Sequence, residues 1–309
     1  MRARSSRAAL VGAVLTALAA LAALAACATI AGIEGLEIGE CKGGACGPGD
    51  SAVDGPEEEI DGGEGEDGGS SFDASALPCA ASHGPLMVRV GTETNNFCID
   101  STEVTVAQYR EFVVAMGSKT AGQPTVCAWN TSFQAGFTGA DDTPAAGVDW
   151  CDARAYCAWA GKRLCGKRSG GKFVGPVGVD DLGDFNTHEW LLVCTNVGQV
   201  RYPYGNTTQG TTCNTVENDA GHTVPVGSMS GCEGGFPGVF DMLGNVWEWI
   251  DGPCFAPDGG SDGGPAKQEC YVKGGAFLNG SPNLDCRVDG LGATRDRRGL
   301  EIGFRCCAE

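Results

Sequence analysis

The sequence predicts a loop-rich α+β domain braced by disulfides, and three observations lead there. Glycine is abundant, 50 residues of 309, while segments with helical periodicity are few, so irregular backbone must carry much of the fold. Cysteine is abundant too: there are 17, on a chain whose N-terminus reads as an export signal, and bridges are the default state in an oxidising compartment. The stretch beyond the N-terminal segments, residues 76–309, is long enough for one large domain with a continuous core. It contains no internal repeat, and its pattern suits an α+β layer arrangement.

Taken in order, the chain opens with Arg2, Arg4 and Arg7 ahead of an apolar run from Ala8 to Ala26, the basic head and hydrophobic core of a secretory signal. An uncleaved helix is the alternative, since the run is nearly long enough to span a bilayer. Leu24-Ala25-Ala26-Cys27 favours the signal. It resembles the bacterial lipobox, where small residues admit the lipoprotein signal peptidase and the cysteine thiol accepts diacylglycerol. Residues 1–26 are therefore expected to be a lipoprotein signal peptide and Cys27 the lipidation site. Ala28 follows instead of the Asp that would hold a lipoprotein at the inner membrane, so the expected address is the cell envelope as an outer-membrane lipoprotein.

Residues 27–75 read as an acidic, Gly-rich tether. Between Glu34 and Asp73 there are thirteen acidic residues and one basic, which is minus 12 of the total net charge of −18. Such a segment buries too little apolar surface to offset its ordering entropy and is expected to be disordered. The acidity is thus mostly the tether's, and neither nucleic acid nor an anionic membrane face is expected as a partner beyond the lipid itself. A solvated spacer is the simpler reading, with a specific acidic docking tail as the alternative.

Within residues 76–309, Phe97-Cys98-Ile99-Asp100-Ser101-Thr102-Glu103-Val104-Thr105 leads from an extended segment into a helix. Thr105 and Gln108 make a capping box, Tyr109, Phe112, Val113 and Met116 recur at helical spacing, and Gly117 ends the run. A second helix is expected between Asp149, as N-cap, and Gly161, with Ala153, Tyr156, Cys157 and Ala160 facing inward. Arg163-Leu164-Cys165 is then separated from Thr187-His188-Glu189-Trp190 by an insertion of about twenty residues, read as a surface loop. A turn at Tyr202-Pro203-Tyr204-Gly205-Asn206 follows, then Asp241-Met242-Leu243-Gly244-Asn245-Val246-Trp247-Glu248-Trp249. The chain closes on Lys273-Gly274-Gly275-Ala276-Phe277, Cys286-Arg287 and Gly303-Phe304-Arg305.

These motifs, in this order over residues 97–307, resemble the formylglycine-generating enzymes, also called sulfatase-modifying factors. The nonapeptide at Asp241–Trp249 is their signature, and Arg163-Leu164 with Thr187-His188-Glu189-Trp190 is their Arg-Leu-Pro-Thr-Glu-x-Glu-Trp string split by the insertion. The resemblance implies a loop-rich fold with a C-type-lectin-like core. It also implies bridges from proximity in that fold: Cys79 with Cys98, Cys254 with Cys270, and Cys286 with Cys306 or Cys307. A Cys165–Cys194 bridge would pin the base of the insertion, and Cys41 would pair with Cys46 in the tether. Arg305 is expected to pair with a buried carboxylate.

Calcium follows from the same resemblance. One site maps to the Asp241 carboxylate, the carbonyls of Gly244 and Val246, and the Glu248 carboxylate, oxygen ligands of the kind a hard cation takes. A second maps to Asn214, the Thr215 carbonyl, Asn218 and the Ala220 carbonyl. The alternative is that Asp241, Asn245 and Glu248 cap and bridge a buried turn while Trp247 and Trp249 fill the core.

The family's enzymes oxidise a sulfatase cysteine with two thiols and copper. Those thiol positions fall here on Asn279 and Leu284, neither of which offers the soft sulfur that copper(I) needs. Copper is not expected. Cys286, nearby, is read as half of a disulfide, because sixteen cysteines remain after Cys27. The iron-dependent sulfoxide synthases of the same fold need a histidine triad, which His83, His188 and His222 do not form. No Gly-x-Ser-x-Gly elbow, Walker loop, dinucleotide fingerprint or His-Glu-x-x-His occurs, and Asp141-Asp142 and Asp180-Asp181 read as solvated turns. The expected function is a lipid-anchored, non-catalytic domain that binds a peptide, glycan or envelope component. The alternative is a formylglycine-generating oxidase acting on cysteine of a sulfatase or other protein.

Overall fold

The computed structural model describes residues 79, 81–92, 95–137, 139–168, 184–256, 264–280 and 284–309. The expected signal peptide, Cys27, the expected tether, the expected Cys41–Cys46 pairing, Asp180-Asp181 and most of the insertion lie outside these residues. Among the described residues no helix is long and apolar enough to cross a membrane.

Among the described residues, eight strands and three α-helices run in the order β1 (Met87–Thr92), β2 (Asn95–Asp100), α1 (Val106–Met116), α2 (Trp150–Trp159), β3 (Arg163–Leu164), α3 (Glu189–Cys194), β4 (Trp247–Phe255), β5 (Glu269–Lys273), β6 (Asp289–Thr294), β7 (Ile302–Phe304) and β8 (Cys306–Ala308). They form two four-stranded sheets, ordered β1-β2-β8-β3 and β6-β5-β4-β7. All pairs are antiparallel except β4 with β7. Among the described residues, the long stretches between α1 and α2, and between α3 and β4, hold only single short 3₁₀ turns. This is the loop-rich α+β arrangement that the glycine content calls for.

Both long helices start as their sequences dictate. Thr105 accepts the Gln108 N–H while the Gln108 side chain accepts the Thr105 N–H, and Asp149 and Asp152 exchange the same pair of bonds at the head of α2. Such reciprocal caps satisfy donors that the first turn leaves unpaired. Gly117, at φ +58°, and Gly161, at φ +75°, lie just past the two helix ends, where an L side chain would be strained. The inward faces meet in an aromatic core. Tyr109 of α1 stacks on Tyr156 of α2 at 5.7 Å, and Phe112 and Phe304 pack edge-on against Tyr156. Each of these side chains is buried, a contribution of about 1.5–3 kcal/mol apiece.

Seven disulfides brace the domain, and they engage every cysteine from Cys79 onward. Cys79–Cys98 and Cys254–Cys270 are the expected pairs. The expected Cys165–Cys194 bridge and the pairing of Cys286 with Cys306 or Cys307 are corrected. Cys165 bonds Cys307, because β3 pairs with β8 in a register that places Arg163 opposite Cys307 and Leu164 opposite Cys306. Cys194, ending α3, bonds Cys286, whose N–H is held by the Arg201 carbonyl at 3.0 Å. Cys306 turns to the other face of β8, as strand geometry requires, and meets Cys157 of α2.

Candidate functional site

The signature segment opens with a buried turn, residues 241–246, that runs directly into β4. Asp241, Gly244 and Asn245 all have positive φ, +58°, +78° and +56°. Gly244 is obligatory on a second count, because a Cβ there would run into the Asn214 carbonyl. Asn245 is the hub. Its amide oxygen accepts from Asn214 Nδ2 and the Val224 N–H, both at 3.0 Å, and its Nδ2 donates to Glu103 Oε1 at 3.0 Å. Its backbone N–H bonds the Asn214 carbonyl and its carbonyl accepts from Phe277.

Arg305 lies between β7 and β8, where the chain passes from one sheet to the other. Its guanidinium grips both oxygens of Glu248 on β4, with Nε at 2.9 and 2.8 Å and Nη2 at 2.7 Å, and it also donates to the Asp100 and Phe240 carbonyls. Trp190 Nε1 donates to Glu248 Oε2 at 2.8 Å. Arg305 thus pairs with a buried carboxylate, as the sequence suggests. Close by, Lys162 and Asp100 form a second fully buried pair at 2.5 Å, and Asp100 Oδ2 accepts the Cys306 N–H.

Three carboxylates, Glu103, Asp241 and Glu248, share this one guanidinium. Burial pushes Asp241 up to about 6, against the pull of the Gly227 N–H bonded to it. Burial, then the Asp241 charge, holds Glu103 well above the usual carboxylate range. The buried Glu103 side chain also hydrogen-bonds the Asp241 carboxyl, so the two acids sit against each other. Nothing in the sequence marks Glu103 as part of this cluster, since there it is only an acid ahead of a helix.

The fit to calcium differs between the two sites. At the first, a guanidinium already sits against both oxygens of Glu248. That leaves Asp241 and the carbonyls of Gly244 and Val246, fewer than the six to eight oxygens calcium takes, so these residues fit the ion poorly. The second loop fits better. Asn214 Oδ1 is buried with no hydrogen-bond partner, beside the Thr215 carbonyl, which closes a 3₁₀ turn by accepting from the Asn218 N–H at 3.0 Å. Asn218 is half-buried on that turn, and the Ala220 carbonyl meets His222 Nδ1. All four donors are oxygens of the hard type, and the unpaired amide oxygen is the atom a cation would satisfy.

Asn279 and Leu284, onto which the resemblance maps the family's thiols, are held in ordinary structural contacts. Asn279 Oδ1 accepts the Ala276 N–H at 2.9 Å, and the Asn279 carbonyl accepts from Val216 at 3.0 Å, so the residue ties a turn. Leu284 packs into a small apolar cluster with Tyr202, Leu243 and the Cys213–Cys232 bridge. Cys286 is bonded to Cys194. The histidines are scattered: His83 stacks on Trp159 at 4.0 Å, His188 caps α3 from the core, and His222 is exposed. Among the described residues no group of three or more His, Cys, Asp or Glu side chains is placed to hold a metal ion.

The chain is similar to known proteins over most of this architecture. A family model described as a sulfatase-modifying factor enzyme 1-like domain matches residues 60–309. The inactive C-alpha-formylglycine-generating enzyme 2 of Bos taurus is 32% identical over 184 residues, covering 53% of this chain and 50% of that one. The formylglycine-generating enzyme of Thermomonospora curvata is 30% identical over 196 residues, covering 54% and 55%. The chain thus spans about half the length of the curated relatives it matches. Among solved structures, PvdO from Pseudomonas aeruginosa is similar with a TM-score of 0.45 and 20% identity, over 75% of this chain and 92% of that one. With the family model matching residues 60–309, well over half of its length, the chain belongs to the sulfatase-modifying factor enzyme 1-like, or formylglycine-generating-enzyme, family.

Proposed function

We propose that this protein is a non-catalytic member of its family, held to the outer membrane through Cys27 and binding a peptide, glycan or envelope component. One observation carries the loss of catalysis: every cysteine from Cys79 onward is in a disulfide, while Asn279 and Leu284 occupy the positions of the family's thiols. Copper(I) chemistry needs thiolates, and the domain has none to give. Similarity to a mammalian relative that is itself named inactive supports the same reading. Beside Asn279, Leu278 and Val216 are 60% and 52% exposed, apolar contacts for a ligand at the place where relatives bind substrate. Calcium in the Asn214–Ala220 loop would act structurally, by holding that loop against the signature turn.

The test is direct. A sulfatase-derived cysteine peptide incubated with the purified protein, copper(I) and oxygen is expected to keep its thiol, and alkylation mapping is expected to find no reactive cysteine from Cys79 onward. Aldehyde formation in the peptide would sink the proposal.

A further inference from the structure

Three loop segments line an open cavity of about 480 Å³. Asn196 and Val200 come from the turn after α3, Pro203 and Tyr204 from the turn at 202–205, and Ser230 and Glu233 from the stretch that precedes the signature. Each wall is fixed. The α3 wall is anchored by Cys194–Cys286 and the third by Cys213–Cys232. Tyr202 and Gly205 exchange N–H···O bonds of 2.8 and 3.0 Å across the middle one. The first and third walls are in close contact, since a Cβ on Gly235 would lie 2.5 Å from the Asn196 nitrogen. A cavity so constrained is formed before any ligand arrives, which lowers the ordering cost of binding.

Its chemistry is selective. Tyr204 stacks on the buried Tyr202 at 5.5 Å with their planes 5° apart, so the half-buried ring that lines the cavity is held as a rigid plate. Around it stand an amide (Asn196), a hydroxyl (Ser230) and one carboxylate (Glu233), with no Lys, Arg or His among the described residues of the lining. The Gly238 N–H bonds Glu233 Oε1 at 2.7 Å and orients that carboxylate. An aromatic plate takes the C–H face of a flat polyol, amide and hydroxyl pair with its hydroxyls, and a lone carboxylate favours a cationic group while repelling an anionic one.

We infer that this cavity is a binding subsite for a pyranose bearing a free amine, a glucosamine-type sugar. The inference goes beyond the binding reading above, because it names a second place and a ligand class. It stands whether or not the surface beside Asn279 takes a ligand. Calorimetric titration with a β-1,4-linked glucosamine trimer and with its N-acetylated counterpart tests it. The free-amine trimer is expected to bind about tenfold more tightly than the acetylated one. Glu233→Gln is expected to erase that preference, and Tyr204→Ala to weaken both ligands about tenfold. Ser230→Trp, at an exposed position on the rim, should block both and guards against a loss caused by misfolding. Absence of binding by either trimer at ~10 mM, or binding unchanged in all three variants, overturns the inference. The oxidase assay involves none of these residues, so the two proposals fail separately.

Discussion

Val197 sits at φ +57° between Asn196 at +46° and Gly198 at +79°, and its side chain is 42% exposed. A β-branched residue is strained in that left-handed region, and so exposed a side chain gains little packing to offset the strain. Val197→Asn is expected to stabilise the domain by about 1 kcal/mol, read as a higher denaturation midpoint in guanidinium. A second residue-scale expectation concerns Asp149 and Asp152, each 2.9 Å from Arg298 Nη2. Burial pushes Asp152 up to about 7, the Asp149 charge adds to the rise, and Arg298 and the Asn130 amide pull the other way. The folded state therefore keeps a proton that the unfolded chain releases near 3.8. The stability from this group is fully present below that value and is lost as pH rises towards 7. Wild type should lose stability relative to Asp152→Asn between those limits, and parallel pH profiles would count against the shift. None of this was legible in the sequence: a left-handed Val looks like any Val, and Arg298 is far from Asp149 along the chain.

At the scale of elements, the sequence was most readable where the physics is local. Thr105 with Gln108, and Asp149 as N-cap, set helix starts through bonds spanning three residues, and Gly117 and Gly161 mark helix ends for a conformational reason confined to one residue. Pairings set by distant contacts were harder to read. Cys165 and Cys194 are both near the insertion in sequence, yet sheet register sends one to Cys307, and α3 sends the other to Cys286. The signature turn was readable as a motif. Its commitment of Glu248 to Arg305 depends on two sheets meeting, so only the presence of a buried partner for Arg305 could be expected. The loop carrying Asn214 and Asn218 supplies the test for calcium. Saturating calcium is expected to raise the melting temperature by ~5 °C over chelator-treated protein, and Asn218→Ala to abolish the rise. Identical melting with and without calcium would remove the ion from the account.

For the whole molecule, the cysteines do what a glycine-rich chain cannot do through regular structure alone. Cys157–Cys306 joins residues 149 apart in sequence and Cys165–Cys307 joins residues 142 apart, so the last strand is tied to both α2 and the segment after β3. Closing loops of that length removes much freedom from the unfolded chain. Replacing Cys157 and Cys306 together by serine is expected to cost about 4 kcal/mol, measured by equilibrium unfolding under non-reducing conditions, and a loss well under 1 kcal/mol would show that native packing holds β8 without the bridge.

Those two neighbouring sulfurs also bear on how the protein is made. Cys306 and Cys307 are adjacent, and each must find its own partner on an opposite face of the same strand. The last two bridges cannot close until the final strand has paired. A product stopped short of Cys306 would leave Cys157 and Cys165 without their partners, so thiol labelling would tell an unfinished molecule from a completed one.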